Sequence, residues 1–148
     1  MRIIIDGDAC PVKQEAIEIG QNYQIPIIII TTFAHYNFPE KQEGVTYKFL
    51  DSENQMADYY IFGMVEVGDI VITQDYGLAS LLLDRARVLH HMGQEYTINN
   101  INMLLQERHL NQQSRNAGQR QTRIKPLSEV DNKNFSKQLI KMIQENKE

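Results

Sequence analysis

The run of Ile3, Ile4 and Ile5, followed at once by Asp6 and Asp8, constrains this chain more than any other stretch. Three consecutive β-branched residues without a polar neighbour predict a strand buried on both faces, as in the middle of a parallel sheet. If the extended conformation continues, Asp6 and Asp8 leave the backbone on the same side, because side chains alternate along a strand. The sequence therefore predicts two carboxylates at the carboxyl end of a buried strand, where ligands bind in open α/β sheets.

Two carboxylates at this spacing repel each other, and each raises the pKa of the other unless a positive charge lies between them. A hard divalent cation such as Mg²⁺ or Mn²⁺, which prefers oxygen ligands, would relieve that repulsion. The alternative is that Asp6 and Asp8 only end the strand and cover a solvated turn. The pattern of two aspartates directly after three isoleucines favours the metal site.

The remaining apolar segments alternate between strand and helix patterns. Strands are predicted over residues 25–33, 45–50, 69–75 and 87–91, and helices over residues 12–23, 55–67, 78–86, 99–109 and 128–146. Strands that alternate with helices imply right-handed crossovers and a mostly parallel sheet. We therefore expect an α/β fold with three layers, in which helices flank a central sheet of about five strands. A chain of 148 residues is typical of a single domain, here residues 1–148.

Composition narrows the cellular context. The hydrophobic share is 42% and the charged share 23%, as in ordinary globular proteins, and no apolar run approaches the ~20 residues of a membrane helix. The single cysteine excludes an internal disulfide framework, and the first residues lack the pattern of a secretory signal. These features predict a cytoplasmic protein without a membrane partner.

Charge is divided unevenly along the chain. Residues 1–107 carry 6 Lys and Arg against 15 Asp and Glu, whereas residues 108–148 carry 9 against 4. An acidic body with a basic carboxyl-terminal segment suits a cation in one place and an anionic polymer in the other. Within that segment, residues 111–127 are predicted to form a basic loop or linker, and residues 128–146 a helix that packs back on the body.

Two further aspartates are candidates for the acidic site. Asp75 follows the apolar strand around Val71, as Asp6 follows the first strand, but an aspartate there also caps a helix well. Asp58 shares a helical face with Ile61, Phe62 and Val65, and a carboxylate on an apolar face is costly unless it is paired or bound to a cation. Partial exposure or a hydrogen bond to a hydroxyl would also explain Asp58.

Other reactive side chains have simpler interpretations. Cys10 precedes Pro11 at a predicted helix start, and a small buried residue is favoured there over a reactive thiolate. His90 and His91 lack the spacing of metal ligands, so they are interpreted as packing residues at the end of a strand.

Several motifs together resemble the bacterial YaiI/YqxD family, which is assigned to the PIN-like nuclease superfamily. They are DGDACPV at residues 6–12, MAD with Asp58, GDIVITQDYGLA at residues 68–79, MGQEYTINNI at residues 92–101, and the segment with Arg115 and Gly118. The resemblance covers nearly the whole chain and implies a PIN-like form of the α/β fold.

Domains of the PIN-like type gather carboxylates that hold Mg²⁺ or Mn²⁺ and hydrolyse phosphodiester bonds, usually in RNA. The resemblance therefore implies a metal cluster, which is also the catalytic set, of Asp6, Asp8, Asp58 and Asp75. Thr73 is placed to hydrogen-bond a metal-bound water molecule, or it merely occupies the strand. The basic residues expected to position backbone phosphates are Lys13, Arg115, Arg120, Arg123 and Lys125.

Two alternatives remain open from the residues themselves. One is a non-catalytic module that binds nucleic acid and keeps the PIN-like fold. The other is a phosphatase of the HAD type, because an Asp-x-Asp pair after a first strand also occurs there. Ala9, Cys10 and Pro11 depart from the residues that the HAD pattern expects after its acidic pair, so the phosphatase ranks below the nuclease.

Overall fold

The computed structural model describes residues 1–8, 10–32, 41–51, 54–116 and 128–146, and the side chains of these residues apart from 54–56 and 108–116. The strands β1 to β6 are Ile3–Asp6, Ile27–Thr32, Val45–Leu50, Ile70–Ile72, Arg87–Leu89 and Glu95–Tyr96. The helices α1 to α5 are Lys13–Asn22, Asn54–Met64, Tyr76–Leu82, Ile98–Asn116 and Glu129–Asn146.

The strands form one mostly parallel sheet in the order β3-β2-β1-β4-β5-β6. The first strand is central: Ile4 is in register with Ile28 of β2 on one side and with Val71 of β4 on the other. Only β6 runs antiparallel, against β5. The predicted α/β class with a mostly parallel sheet is confirmed, and the sheet has six strands where about five were expected.

The alternating side chains of β1 divide the core between the two faces of the sheet. Ile3 and Ile5 belong to the cluster that α1 and α5 cover, whereas Ile4 belongs to the cluster that α2, α3 and α4 cover. All three isoleucines are fully buried, as their uninterrupted β-branched run predicts. The result is a three-layer arrangement of helices, sheet and helices.

The carboxyl-terminal helix α5 packs on the same face as α1. Phe135 and Leu139 point into the core from α5, together with Met142 and Ile143. Gly93, in the turn before β6, has a φ of 95°, and a Cβ atom there would lie 2.7 Å from the backbone carbon of Asn134. A glycine is required because this turn passes directly against the backbone of α5.

Three predictions about the elements are corrected. Helix α4 continues to Asn116, so the first six residues of the predicted linker 111–127 are helical, and residues 117–127 lie outside the described part of the chain. Phe62 is exposed, unlike Ile61 and Val65, so the apolar face of α2 is narrower than expected. Strand β6 was missed because two residues are too few to show an alternating pattern.

Within the described residues, no helix combines the length and apolarity needed to cross a membrane.

Candidate functional site

The candidate site lies where β1 and β4 end side by side. Because these two strands are adjacent and parallel, the residue that closes β1, Asp6, lies beside Thr73, the residue that follows β4. The Thr73 hydroxyl donates a hydrogen bond of 2.9 Å to Oδ2 of Asp6, and Thr73 is almost fully buried. A contact between residues 67 positions apart is therefore a direct consequence of the sheet order.

The carboxyl group of Asp6 is electrostatically unusual. Burial, with the charges of Asp75 and Asp8, raises its pKa from 3.8 to about 6, against the opposing effect of the Thr73 hydrogen bond. Desolvation and neighbouring like charges both penalise the ionised form. A carboxylate in this environment gains more from a nearby cation than an exposed one does.

Asp75 has two roles at the start of α3. It is the N-cap residue, whose Oδ1 accepts a hydrogen bond of 3.2 Å from the amide of Leu78, as the helix-cap interpretation predicts. Its own backbone amide donates a hydrogen bond of 3.0 Å to the Thr73 hydroxyl oxygen. Thr73 thus joins Asp6 and Asp75 through one oxygen, as acceptor from the Asp75 amide and as donor to Asp6.

Asp8 accepts hydrogen bonds from β2, the other neighbour of β1. Its Oδ1 accepts a hydrogen bond of 2.7 Å from the Thr31 hydroxyl and one of 3.1 Å from the Thr32 amide, both at the end of β2. The hydrogen bonds of Asp6 and Asp8 run to opposite neighbouring strands, and the extended conformation on which their predicted common direction depends does not continue to Asp8. The reason is that β1 ends at Asp6, so the strict alternation of the strand does not extend to Asp8.

A narrow cleft at this edge contains most of these groups. It is lined by Asp6, Asp8, Cys10, Ile72, Thr73, Gln74 and His91. Burial raises the pKa of the Cys10 thiol to about 11, so at neutral pH this cysteine is a protonated thiol rather than a reactive thiolate, as interpreted from the sequence. Asp6 and Asp8 make the cleft acidic on the β1 side.

His91, which the sequence analysis interpreted only as a packing residue, lines the cleft. Burial lowers its pKa, against the opposing effect of Asp131 of α5, so its imidazole is neutral at pH 7. Its ring lies 4.2 Å from that of His90, centroid to centroid. Only the turn between β5 and β6 brings it to the acidic edge, and no local spacing pattern carries that information.

The other predicted site residues lie on other elements or outside the described part of the chain. Asp58 is half-buried on α2, next to the buried Ala57. Lys13 is half-buried at the first position of α1. Arg115 belongs to α4, but its side chain is not among those described, and Arg120, Arg123 and Lys125 lie outside the described residues.

Whether these residues suit a divalent cation depends on how many protein ligands the ion needs. Among the described side chains, no group of three or more His, Cys, Asp or Glu is arranged to hold a metal ion. However, Mg²⁺ commonly keeps several waters and uses only one or two carboxylates together with substrate phosphates. The donor chemistry fits such a site, because Asp6 is a desolvated carboxylate that faces the charges of Asp75 and Asp8.

Comparison with known proteins places the chain among bacterial relatives. It is 43% identical to a UPF0178 protein of Bacillus cereus strain G9842 over 136 residues, which cover 91% of this chain and 93% of the relative. It is 38% identical to a UPF0178 protein of Enterococcus faecalis over 144 residues, which cover 97% of each chain. No solved structure matches it. A family model described as "Uncharacterized BCR, YaiI/YqxD family" matches residues 4–145, so the chain belongs to the YaiI/YqxD family.

Proposed function

We propose that this protein is a cytoplasmic, divalent-metal-dependent nuclease of the PIN-like type that hydrolyses phosphodiester bonds in RNA. The observation that carries the proposal is that the Thr73 hydroxyl donates to the Asp6 carboxylate at 2.9 Å and accepts from the Asp75 backbone amide at 3.0 Å, at the carboxyl edge of two central strands. The charge of Asp75 also acts on Asp6 and raises its pKa. Asp8 lines the same cleft as Asp6, which supports an acidic site at this edge.

In this proposal Asp6 is the principal carboxylate, and Asp8, Asp58 and Asp75 complete the acidic set. A bound Mg²⁺ or Mn²⁺ would supply a hydroxide near neutral pH and neutralise the charge that develops on the phosphate. The residues of the chain prepare the site: Thr73 fixes the Asp6 carboxylate, and burial keeps that carboxylate poorly solvated. No side-chain nucleophile is required, which agrees with the protonated state of Cys10.

RNA is proposed as the substrate because the carboxyl-terminal segment of the chain is basic. Residues 108–148 carry 9 Lys and Arg against 4 Asp and Glu. Cations in such a segment bind a phosphate backbone and release its counterions, which gives salt-dependent affinity without a sequence requirement. Lys13, Arg115, Arg120, Arg123 and Lys125 remain the proposed phosphate contacts.

The test is cleavage of a fluorescently labelled single-stranded RNA by the purified protein in Mn²⁺, Mg²⁺ or excess EDTA. We expect cleavage with a metal and none in EDTA. Asp6→Asn and Asp75→Asn should each reduce the rate ~100-fold or more, because a carboxylate that holds the ion contributes several kcal/mol. Both variants should fold, since asparagine keeps an acceptor for the Thr73 hydroxyl at position 6 and caps helices well at position 75.

Asp84→Asn is the matched control, because the Asp84 side chain is largely exposed and does not line the cleft. Its cleavage rate should equal that of the wild type. Full activity in EDTA would overturn the proposed nuclease function. So would an Asp6→Asn variant that is as active as Asp84→Asn.

A second candidate is a module that binds RNA without cleaving it. The specific observation in its favour is that no set of three or more potential ligands is arranged for a metal ion within the described side chains. In that case RNA binding in Mn²⁺ should proceed without cleavage, and Asp6→Asn should leave the affinity unchanged. Cleavage that requires metal and is lost in Asp6→Asn excludes this candidate.

A further inference from the structure

The last strand of the sheet reaches the candidate site through one buried hydroxyl. Tyr96 of β6 is 2% exposed, and its hydroxyl donates a hydrogen bond of 3.2 Å to the backbone carbonyl of Thr73. The Thr73 amide donates 3.1 Å to the carbonyl of Leu89 in β5. Both backbone polar groups of Thr73 are thus held from the β5–β6 side, immediately behind the hydroxyl that contacts Asp6 and Asp75.

The ring of Tyr96 is itself held in place. Tyr76 lies edge-on to it at 5.7 Å between centroids, and His90 does so at 6.0 Å. Arg87 of β5 pairs with Glu95, the neighbour of Tyr96, with 2.7 Å between Nη2 and Oε1. Burial raises the pKa of Tyr96, so the hydroxyl keeps its proton and remains a donor at neutral pH. A fixed donor on a rigid ring is suited to orienting its acceptor.

We propose that Tyr96 is a positioning residue of the candidate site, which acts by holding Thr73 so that one hydroxyl meets both Asp6 and the Asp75 amide. Its role in catalysis rests on the proposed nuclease function, whereas its role in the hydrogen-bond network does not. Tyr96 lies 23 residues beyond Thr73 and 90 beyond Asp6, and it contacts neither a metal nor a substrate in this scheme.

A purely structural explanation competes with this proposal. A buried tyrosine needs a partner for its hydroxyl, and any nearby carbonyl would satisfy it. That explanation predicts that loss of the hydroxyl lowers stability only. The positioning role predicts in addition that hydrogen bonds on the far side of Thr73 weaken, and these can be measured separately.

The experiment replaces Tyr96 by phenylalanine, which keeps the ring packing and removes only the hydroxyl. Hydrogen exchange of the Asp75 amide, followed by NMR, reports its bond to the Thr73 hydroxyl. We expect that amide to exchange about tenfold faster in Tyr96→Phe, whereas the amide of Ile5 in β1 should be unchanged. Thr73→Val should produce the same change, and Thr73→Ser, which keeps a hydroxyl, should restore slow exchange.

Tyr47→Phe is the matched control, because Tyr47 is a partly buried tyrosine of β3 that packs on the opposite core cluster to Tyr96. In Tyr47→Phe, the Asp75 amide should exchange at the wild-type rate. If Tyr96→Phe folds poorly, Glu95→Gln weakens the ion pair that anchors β6 and should accelerate Asp75 exchange to a smaller extent. The proposal is overturned if Thr73→Val changes the exchange of the Asp75 amide but Tyr96→Phe does not. Where Tyr96→Phe folds poorly, the same comparison is made with Glu95→Gln.

The kinetic measurement separates this inference from the nuclease proposal. If RNA is cleaved, Tyr96→Phe should lower kcat about tenfold and change KM less than twofold, as expected for a group that orients catalytic residues. If the wild type cleaves no RNA, the proposed nuclease function fails, and the Asp75 exchange data still decide whether Tyr96 positions Thr73.

Discussion

Asp6 and Asp8 lie two residues apart, yet their carboxylates are bound to opposite neighbours of the same strand. Asp6 accepts from Thr73 beyond β4, and Asp8 accepts from Thr31 and Thr32 at the end of β2. Burial penalises the charge of Asp6, whereas Asp8 is held by a hydroxyl and an amide. The two aspartates are therefore expected to respond differently to substitution.

Replacing Asp6 by asparagine should stabilise the folded protein at neutral pH. The ionised carboxylate of Asp6 is desolvated and faces the charges of Asp75 and Asp8, and asparagine removes that penalty while still accepting from Thr73. We expect the free energy of unfolding at pH 7 to rise by about 1–3 kcal/mol, measured by urea denaturation. A clear loss of stability would contradict the electrostatic account of Asp6.

The same penalty predicts how stability depends on pH. The pKa of Asp6 is about 6 in the folded state and 3.8 ordinarily, so between these values the folded state binds more protons than the unfolded state. The contribution of Asp6 to stability is therefore greatest below about pH 4 and falls as the pH rises through 6. The stability difference between Asp6→Asn and wild type should be near zero at about pH 3.5 and grow towards pH 7. A difference independent of pH would contradict this assignment.

Replacing Asp8 by alanine should destabilise the protein. The substitution removes the acceptor of the Thr31 hydroxyl and the Thr32 amide, and both threonines are buried. We expect a loss of about 1–3 kcal/mol in the free energy of unfolding, the usual cost of leaving buried donors without their acceptor. Asp84→Ala is the control: its carboxylate is exposed and lies 3.7 Å from Arg85, so the change should stay within about 0.5 kcal/mol. Equal effects of the two substitutions would contradict the prediction.

Gly7, between the two aspartates, should tolerate no side chain. A Cβ atom there would lie 2.8 Å from both Cγ2 of Ile29 and the carbonyl oxygen of Ile30. We expect Gly7→Ala to cost about 1–3 kcal/mol in thermal or urea unfolding, because the strand must shift. Gly63→Ala is the opposite control, since Gly63 is exposed on α2 with no atom near its Cβ position. It should stabilise the protein by about 0.5–1 kcal/mol.

The basic segment should control affinity for RNA without affecting stability. Neutralising Arg120 and Arg123 together by glutamine removes two proposed phosphate contacts. In fluorescence titrations with a single-stranded RNA, the slope of log affinity against log salt should decrease in magnitude by about 1.4. Replacing the exposed Lys41 by glutamine serves as the control and should leave the slope unchanged. An unaltered slope in the double variant would remove these residues from the RNA interface.

The sequence alone determined most of the elements and the location of the acidic edge. The run Ile3 to Ile5 predicts a strand buried on both faces, and the apolar segment around Val71 predicts a second such strand, because these patterns are local and the hydrophobic effect acts on them directly. Parallel pairing then brings Asp6 and Asp75 to the same edge. The length of α4 could not be predicted, because residues 111–116 are polar and show no helical period.

Only the tertiary structure decided which groups meet at that edge. The sheet order directs Asp8 to Thr31 and Asp6 to Thr73, and the short strand β6 brings Tyr96 behind Thr73 and His91 into the cleft. The hydrogen bonds of this network join residues 23 to 67 positions apart along the chain. Local patterns record which faces of an element are apolar, but they do not record which strands become neighbours. That choice follows from packing the whole core at once, which is why the polar network at the site was not visible in the sequence.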